Sequence, residues 1–173
     1  MKAAFLAFPD CAVWQVALLQ KVLTNAGWAI RTLTLDGKSV RTDGGLQLCP
    51  DGKVETAAPR DYNLVLMAGG PVQEQIADNP HLHRFLRQYD GQRGLIASAS
   101  ESILYVAGAG LLGGLRFTTS ATCYQTYDSY FYGCQYEGKG VCVDGNIVSC
   151  QPQANREFTS AVCNQLGIPA DLD

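Results

Sequence analysis

The chain predicts an α/β sandwich of three layers, with a mostly parallel central sheet covered by helices. Three observations carry that prediction. Segments 2–8, 63–68 and 94–99 are apolar on both faces, as strands inside a helix-covered parallel sheet must be. Helical patterns alternate with them along the chain. At 94–102, Gly-Leu-Ile-Ala-Ser-Ala-Ser-Glu-Ser, a buried strand runs directly into a helix through small residues. That is the local design of a nucleophile elbow.

The elements follow in order. Segment 2–8 is the first strand. Its Lys2 and Ala-Ala-Phe-Leu-Ala-Phe run imitates a signal peptide, but the run stops at Pro9-Asp10 and no small-x-small site precedes Cys11. Val13, Trp14, Ala17, Leu18 and Val22 repeat at helical spacing until Ala26-Gly27. Segment 28–35 is rich in strand formers and ends at Asp36-Gly37. An irregular section follows, with a short strand at 46–49. The strand at 63–68 runs into Gly69-Gly70-Pro71. Asn79 or Asp78 then caps a helix that has Pro80 in its first turn and ends near Tyr89. After the elbow a helix continues to about Gly110. Segments 116–119 and 140–143 read as strands, and Asp144-Gly145-Asn146 turns the chain into a strand at 147–150. A last helix spans 155–166 and stops at Gly167.

Composition bounds the function. At 173 residues the chain reads as one domain, 1–173, with a single sizeable core. A net charge of −3 gives no electrostatic case for nucleic acid or an anionic membrane, and no apolar run approaches the roughly 20 residues that span a bilayer. The seven cysteines are odd in number and irregularly spaced, with no Cys-x-x-Cys. They read as reduced thiols packing as small hydrophobes in a cytoplasmic protein. Gly108, Gly110, Gly113 and Gly114 follow a helix and belong to no phosphate-loop or dinucleotide fingerprint. No cofactor and no metal are expected.

The elbow turn accepts only small side chains two residues either side of its centre. Ser98 and Ser102 meet that demand and place Ser100 at an exposed tip. In parallel sheets ligands bind at the carboxyl ends of the strands. The loops at 9–11, 69–71, 98–102 and 120–123 should therefore meet at one edge.

Several pieces, in this order and spacing, resemble the ThiJ/PfpI superfamily, which includes relatives of class I glutamine amidotransferases. They are Ala26-Gly27 closing the first helix, Leu-Val-Leu-Met-Ala-Gly-Gly at 64–70 and Gly-Leu-Ile-Ala at 94–97. Thr118-Thr119, Asp144-Gly145 with its following strand and the Glu157-Phe158 helix complete the match, which covers nearly the whole chain. The resemblance implies a flavodoxin-like, class I glutamine amidotransferase-like fold and a homodimer. It also implies a reactive cysteine at the elbow, a glutamate from the first helix hydrogen-bonded to it, and often a histidine nearby. Those positions fall on Ser100, Gln15 and Ser120. The family's Pro-Gly-Gly is Ala68-Gly69-Gly70 here, which keeps the glycine amides that would face an oxyanion. Its Ser-Arg-Gly-Pro-Gly loop has become Cys150-Gln151-Pro152-Gln153-Ala154.

Serine attacks poorly at neutral pH unless a base takes its proton. His81 and His83 read as solvated residues of a helix on an outer face, and Gln15 cannot act as a base near pH 7. The Glu101 side chain is expected to point away from Ser100, while its amide could serve an oxyanion. Cys11 precedes a helix, whose N-terminus could lower its pKa, and Cys123 lies near the same edge. The leading expectation is a protein that has lost the cysteine–glutamate chemistry and keeps the cleft for a small molecule or a regulatory contact. The candidate site is Ser100 and Gln15 with Gly69, Gly70, Glu101, Ser120, Cys11 and Cys123. The alternatives are a hydrolase, lyase or hydratase using Ser100, and a thiol redox sensor using Cys11 or Cys123. A carboxylate or imidazole beside Ser100 would favour the enzyme. The aromatic residues of 123–136 suit either recognition, including a dimer interface, or plain packing.

Overall fold

In the computed structural model, which describes residues 1–170 and 172, β1 (Lys2–Leu6) sits inside a seven-stranded sheet. Its neighbours are β2 (Ala29–Thr34) and β6 (Leu64–Met67), both parallel to it. Beyond β6 come β7 (Leu95–Ala99) and β11 (Ile147–Cys150), also parallel, and then β10 (Val141–Asp144), which closes an antiparallel hairpin with β11. This is the expected architecture. A further pair of residues, β5 (Gly52–Lys53), extends the other edge beside β2.

The alternation of side chains in the strands divides the core into two layers. Ala4, Leu6, Val65, Met67 and Ile96 face one cluster. There they meet α3 (Pro80–Gly91), α4 (Ile103–Gly108) and the short α2 (Glu74–Ala77). Ala3, Phe5, Leu64, Leu66 and Ala97 face the other. That layer is covered by α1 (Ala17–Asn25) and α6 (Asn155–Leu166). Each fully buried Leu or Phe of these layers contributes about 1.5–3 kcal/mol.

Local chemistry explains several boundaries. Asn79 caps α3 by accepting the amides of His81 and Leu82, with Pro80 in the first turn as predicted. α6 ends at Gly167 in the left-handed conformation.

Other boundaries differ from the sequence reading. The first helix is broken: a 3₁₀ turn at Val13–Gln15 precedes α1. The strand at 46–49 is β4 (Gln47–Leu48), which pairs with β3 (Val40–Arg41) outside the main sheet. The strand at 116–119 shortens to β8 (Arg116–Phe117), parallel to β9 (Gln135–Tyr136) in a separate pair. Between them α5 (Ala121–Thr126) and a 3₁₀ turn at Asp128–Phe131 carry most of the aromatic segment.

Candidate functional site

The elbow forms where β7 meets α4. Ser100 has φ +56°, a left-handed conformation in which non-glycine residues persist only when their surroundings hold them there. The holding groups are small and polar. Ser98 Oγ and Ser102 Oγ lie 2.7 Å apart, Ser102 donates to the Ala99 carbonyl at 2.8 Å, and Thr119 donates to the Ser100 carbonyl at 3.0 Å. The small-residue argument for the turn is therefore realised in hydrogen bonds. Ser100 itself is not an exposed tip: it is fully buried. The loop after β6 closes over it.

The Glu101 side chain corrects a second expectation. It turns back, and its Oε2 accepts a hydrogen bond from Ser100 Oγ. The elbow hydroxyl thus has a carboxylate partner, from the residue next to it and not from the first helix. Gln15, buried on the 3₁₀ turn, uses its Oε1 to accept the Gly69 amide at 2.9 Å. Gln15 thus ties two loops together, and Glu101 meets the elbow hydroxyl.

Gly69 is where these groups converge. A Cβ there would lie 2.6 Å from Gln15 Oε1, 2.7 Å from Ser100 Cβ and 2.9 Å from Glu101 Oε2, so only glycine fits. Gly70, with φ +120°, presses against the Asp10 carbonyl and the Cys11 backbone. Ala12 donates to the Gly69 carbonyl at 2.8 Å. The loops after β1, β6, β7 and β8 do meet at one edge of the sheet. Of the two glycine amides expected to face an oxyanion, Gly69 is occupied by Gln15.

The thiols near this edge are buried. Burial raises the Cys11 pKa, and the charges of Asp43 and Asp10 add to the rise. Burial pushes Cys123 up to about 11, with the Glu101 charge adding a little. The helix-terminus effect expected at Cys11 does not prevail. Cys150 lies directly behind the elbow. It pairs with Ala99, and burial holds its pKa at about 12.

A cavity of about 470 Å³ opens in front of the elbow, lined by Gly70, Pro71, Val72, Glu101, Ser120, Thr122, Cys123, Thr126 and Tyr127. The Ser120 hydroxyl caps α5 by accepting the Cys123 amide at 3.2 Å. The carboxylate of Glu101, and not its amide, meets Ser100, and adjacency in the chain is the only sequence signal for it. The histidines are elsewhere. His83 is not solvated as expected: it is half-buried on α3 and hydrogen-bonds the Ala77 carbonyl, while His81 lies near Glu55. The aromatic segment is largely packing, with Phe117 stacked on Phe131 at 4.7 Å and Tyr124 on Tyr136 at 4.2 Å. Tyr132, 93% exposed, and Tyr127, which lines the cavity, are the exceptions. Among the described residues no group of three or more His, Cys, Asp or Glu is placed to hold a metal, and no helix is long and apolar enough to cross a membrane.

Comparison with known proteins agrees with this architecture. The chain is 27% identical to the Parkinson disease protein 7 homolog of Danio rerio over 151 residues, 84% of this chain and 78% of that protein. A DJ-1 superfamily protein from Agrobacterium tumefaciens superposes with a TM-score of 0.84 at 22% identity, covering 99% of this chain and 92% of its own. A two-domain protein of Anabaena variabilis, with DJ-1/ThiJ/PfpI-like and ferritin-like domains, gives 0.87 at 22% identity over 98% of this chain. This chain spans 50% of that protein's length. The model of the DJ-1/PfpI family matches residues 1–165, and the chain belongs to that family.

Proposed function

We propose that this chain binds a small molecule at the elbow cleft and does not use the cysteine–glutamate chemistry that the resemblance implies. The observation that carries this reading is the burial of Ser100: it stands at the centre of the elbow and is fully buried beneath the loop after β6, where a substrate cannot reach its hydroxyl. Glu101, and not Ser100, lines the cavity. Turnover of methylglyoxal, or of a peptide or amide, that is abolished by Ser100→Ala would sink this reading. Ligand-induced thermal stabilisation that survives Ser100→Ala supports it.

One observation favours a second reading. A carboxylate at Ser100 Oγ is the partner that a serine-based hydrolase, lyase or hydratase would need. In that scheme Glu101 takes the Ser100 proton as Oγ bonds to a carbonyl carbon, the C=O electron pair moves onto the oxygen, which the Gly70 amide would face, and the leaving group departs with the proton returned by Glu101. A fluorophosphonate that labels Ser100 establishes this scheme; an unlabelled Ser100 removes it. The thiol-sensor reading through Cys11 or Cys123 has less support, because burial keeps both protonated.

The same proposal takes residues 1–173 as one domain, in the cytoplasm, with seven free cysteines suiting a reducing compartment. It takes the chain as a homodimer, with exposed apolar side chains such as Tyr132, Trp14 and Leu46 available for contact. Light scattering at two concentrations tests the assembly: a monomer mass at both removes the dimer.

A further inference from the structure

We propose that the elbow cleft selects cations: its ligand is a small molecule carrying an ammonium or amidinium group on an apolar body, recognised by the carboxylate of Glu101. This rests on the reading of the cleft as a ligand site. Glu101 is the one acidic or basic residue among those that line the cavity. It forms no ion pair among the described residues. Its charge is therefore uncompensated on the inside of the cleft, where low-dielectric walls strengthen its field.

The carboxylate is also held in place. Ser100 donates to Oε2 from within the fold, and the same oxygen sits over Gly69, where no side chain is tolerated. A carboxylate fixed in this way accepts a cation without ordering a flexible side chain, and that lowers the cost of binding.

The rest of the lining suits the same ligand. Pro71, Val72 and Tyr127 form an apolar and aromatic wall for the ligand body, and the hydroxyls of Thr122 and Thr126 can accept the remaining N–H groups. The volume of about 470 Å³ lies within the range of small-molecule pockets. Phosphates and carboxylates are disfavoured, since no lysine or arginine lines the site and Glu101 repels them.

The test uses three probes of one shape, benzylamine, benzyl alcohol and benzoate, titrated calorimetrically into the whole protein. Benzylamine should bind the wild type at least roughly tenfold more tightly than benzyl alcohol, with benzoate the weakest. Glu101→Gln should erase the difference between amine and alcohol, and Thr122→Trp, which fills the cavity, should abolish both. If Glu101→Gln does not fold, the wild type still decides: raising the salt concentration must weaken the amine and leave the alcohol unchanged. Equal binding of amine and alcohol, both lost in Thr122→Trp, overturns cation selection while leaving the ligand site standing. No amine binding at all also overturns it. The ligand site itself then falls only if a fragment library gives no stabilisation that Thr122→Trp removes.

Discussion

The elbow at 98–102 and the aromatic segment at 123–136 lie at the same edge of the sheet and are built on opposite terms. The elbow buries polar groups. Ser98, Ser100 and Ser102 are all but inaccessible, each hydroxyl has a partner, and the backbone at Ser100 is held in a left-handed conformation. The aromatic segment buries rings, which stack on Phe117 and on one another and roof the α4 side of the core. Buried polar groups are costly unless satisfied, so their geometry is over-determined and points to a site. Stacked rings gain most of their energy from area, which requires no ligand. From residue types alone the aromatic segment looks as much like a site as the elbow does; burial and hydrogen bonding tell them apart.

The contrast can be broken most sharply at Phe117. Phe117→Ala removes the ring on which Tyr124, Phe131 and Tyr136 pack, and should cost about 3–5 kcal/mol in urea unfolding. A loss under about 1 kcal/mol would mean the aromatic stack is not structural. Next comes Gly69→Ala, which forces a Cβ against Gln15, Ser100 and Glu101 and should cost about 1–3 kcal/mol. Its melting temperature should fall while the near-ultraviolet signal of the aromatic segment stays in place. A collapsed aromatic signal would show that the two regions are not independent.

The thiol at the junction of the two regions sharpens the comparison through pH. Cys123 is raised in the fold from an ordinary 9.0 to about 11, so the unfolded chain ionises first as pH rises. Its contribution to stability is complete below 9.0 and is lost between there and about 11, and Cys123→Ala should flatten that alkaline decline. In the native protein a thiol reagent at pH 8 should modify exposed Cys49 and spare Cys11 and Cys123. Rapid native labelling of Cys123 would restore the thiol-sensor reading.

A smaller effect appears on the acid side. Asp144 accepts the Arg116 amide at 2.9 Å and its Nε at 3.3 Å, tying β8 to the β10–β11 hairpin. The Arg116 amide, more than its charge, holds the Asp144 pKa below the ordinary carboxylate value. The stabilisation is present above the unfolded value of 3.8 and is lost as pH falls through the folded one. Asp144→Asn should reduce the slope of stability against pH in that range. Smallest of all, Tyr132→Ser should change stability by under about 0.5 kcal/mol, since the ring is almost wholly exposed. A larger loss that depends on protein concentration would place Tyr132 at a contact between copies of the chain.

Much of the fold is legible residue by residue. The apolar runs of β1, β6 and β7 mark buried parallel strands, Asn79-Pro80 marks the start of α3, and Gly167 marks the end of α6. The errors fall where local signals are weak. β5 is two residues long and held by its partner strand, and α2 is a single turn. Within the site, the small residues around Ser100 and the glycines at 69 and 70 are readable, because tight turns and close approaches admit few residue types. The partner of Ser100 is not readable in the same way. Adjacency along a chain says nothing about which way a side chain turns, and Glu101 turns back only because Gly69 leaves room for its carboxylate.

The sequence by itself therefore determined the layers of the sandwich and the elbow, with Ser100 at its centre and Gln15 in the first helical segment. Periodicity, turn chemistry and residue identity are local properties. Only the tertiary structure decided that Ser100 is buried, that Gln15 binds an amide, and that Glu101 supplies the one carboxylate of the cleft. Those facts depend on how loops from four separate strands pack over one another, and no local pattern encodes that packing.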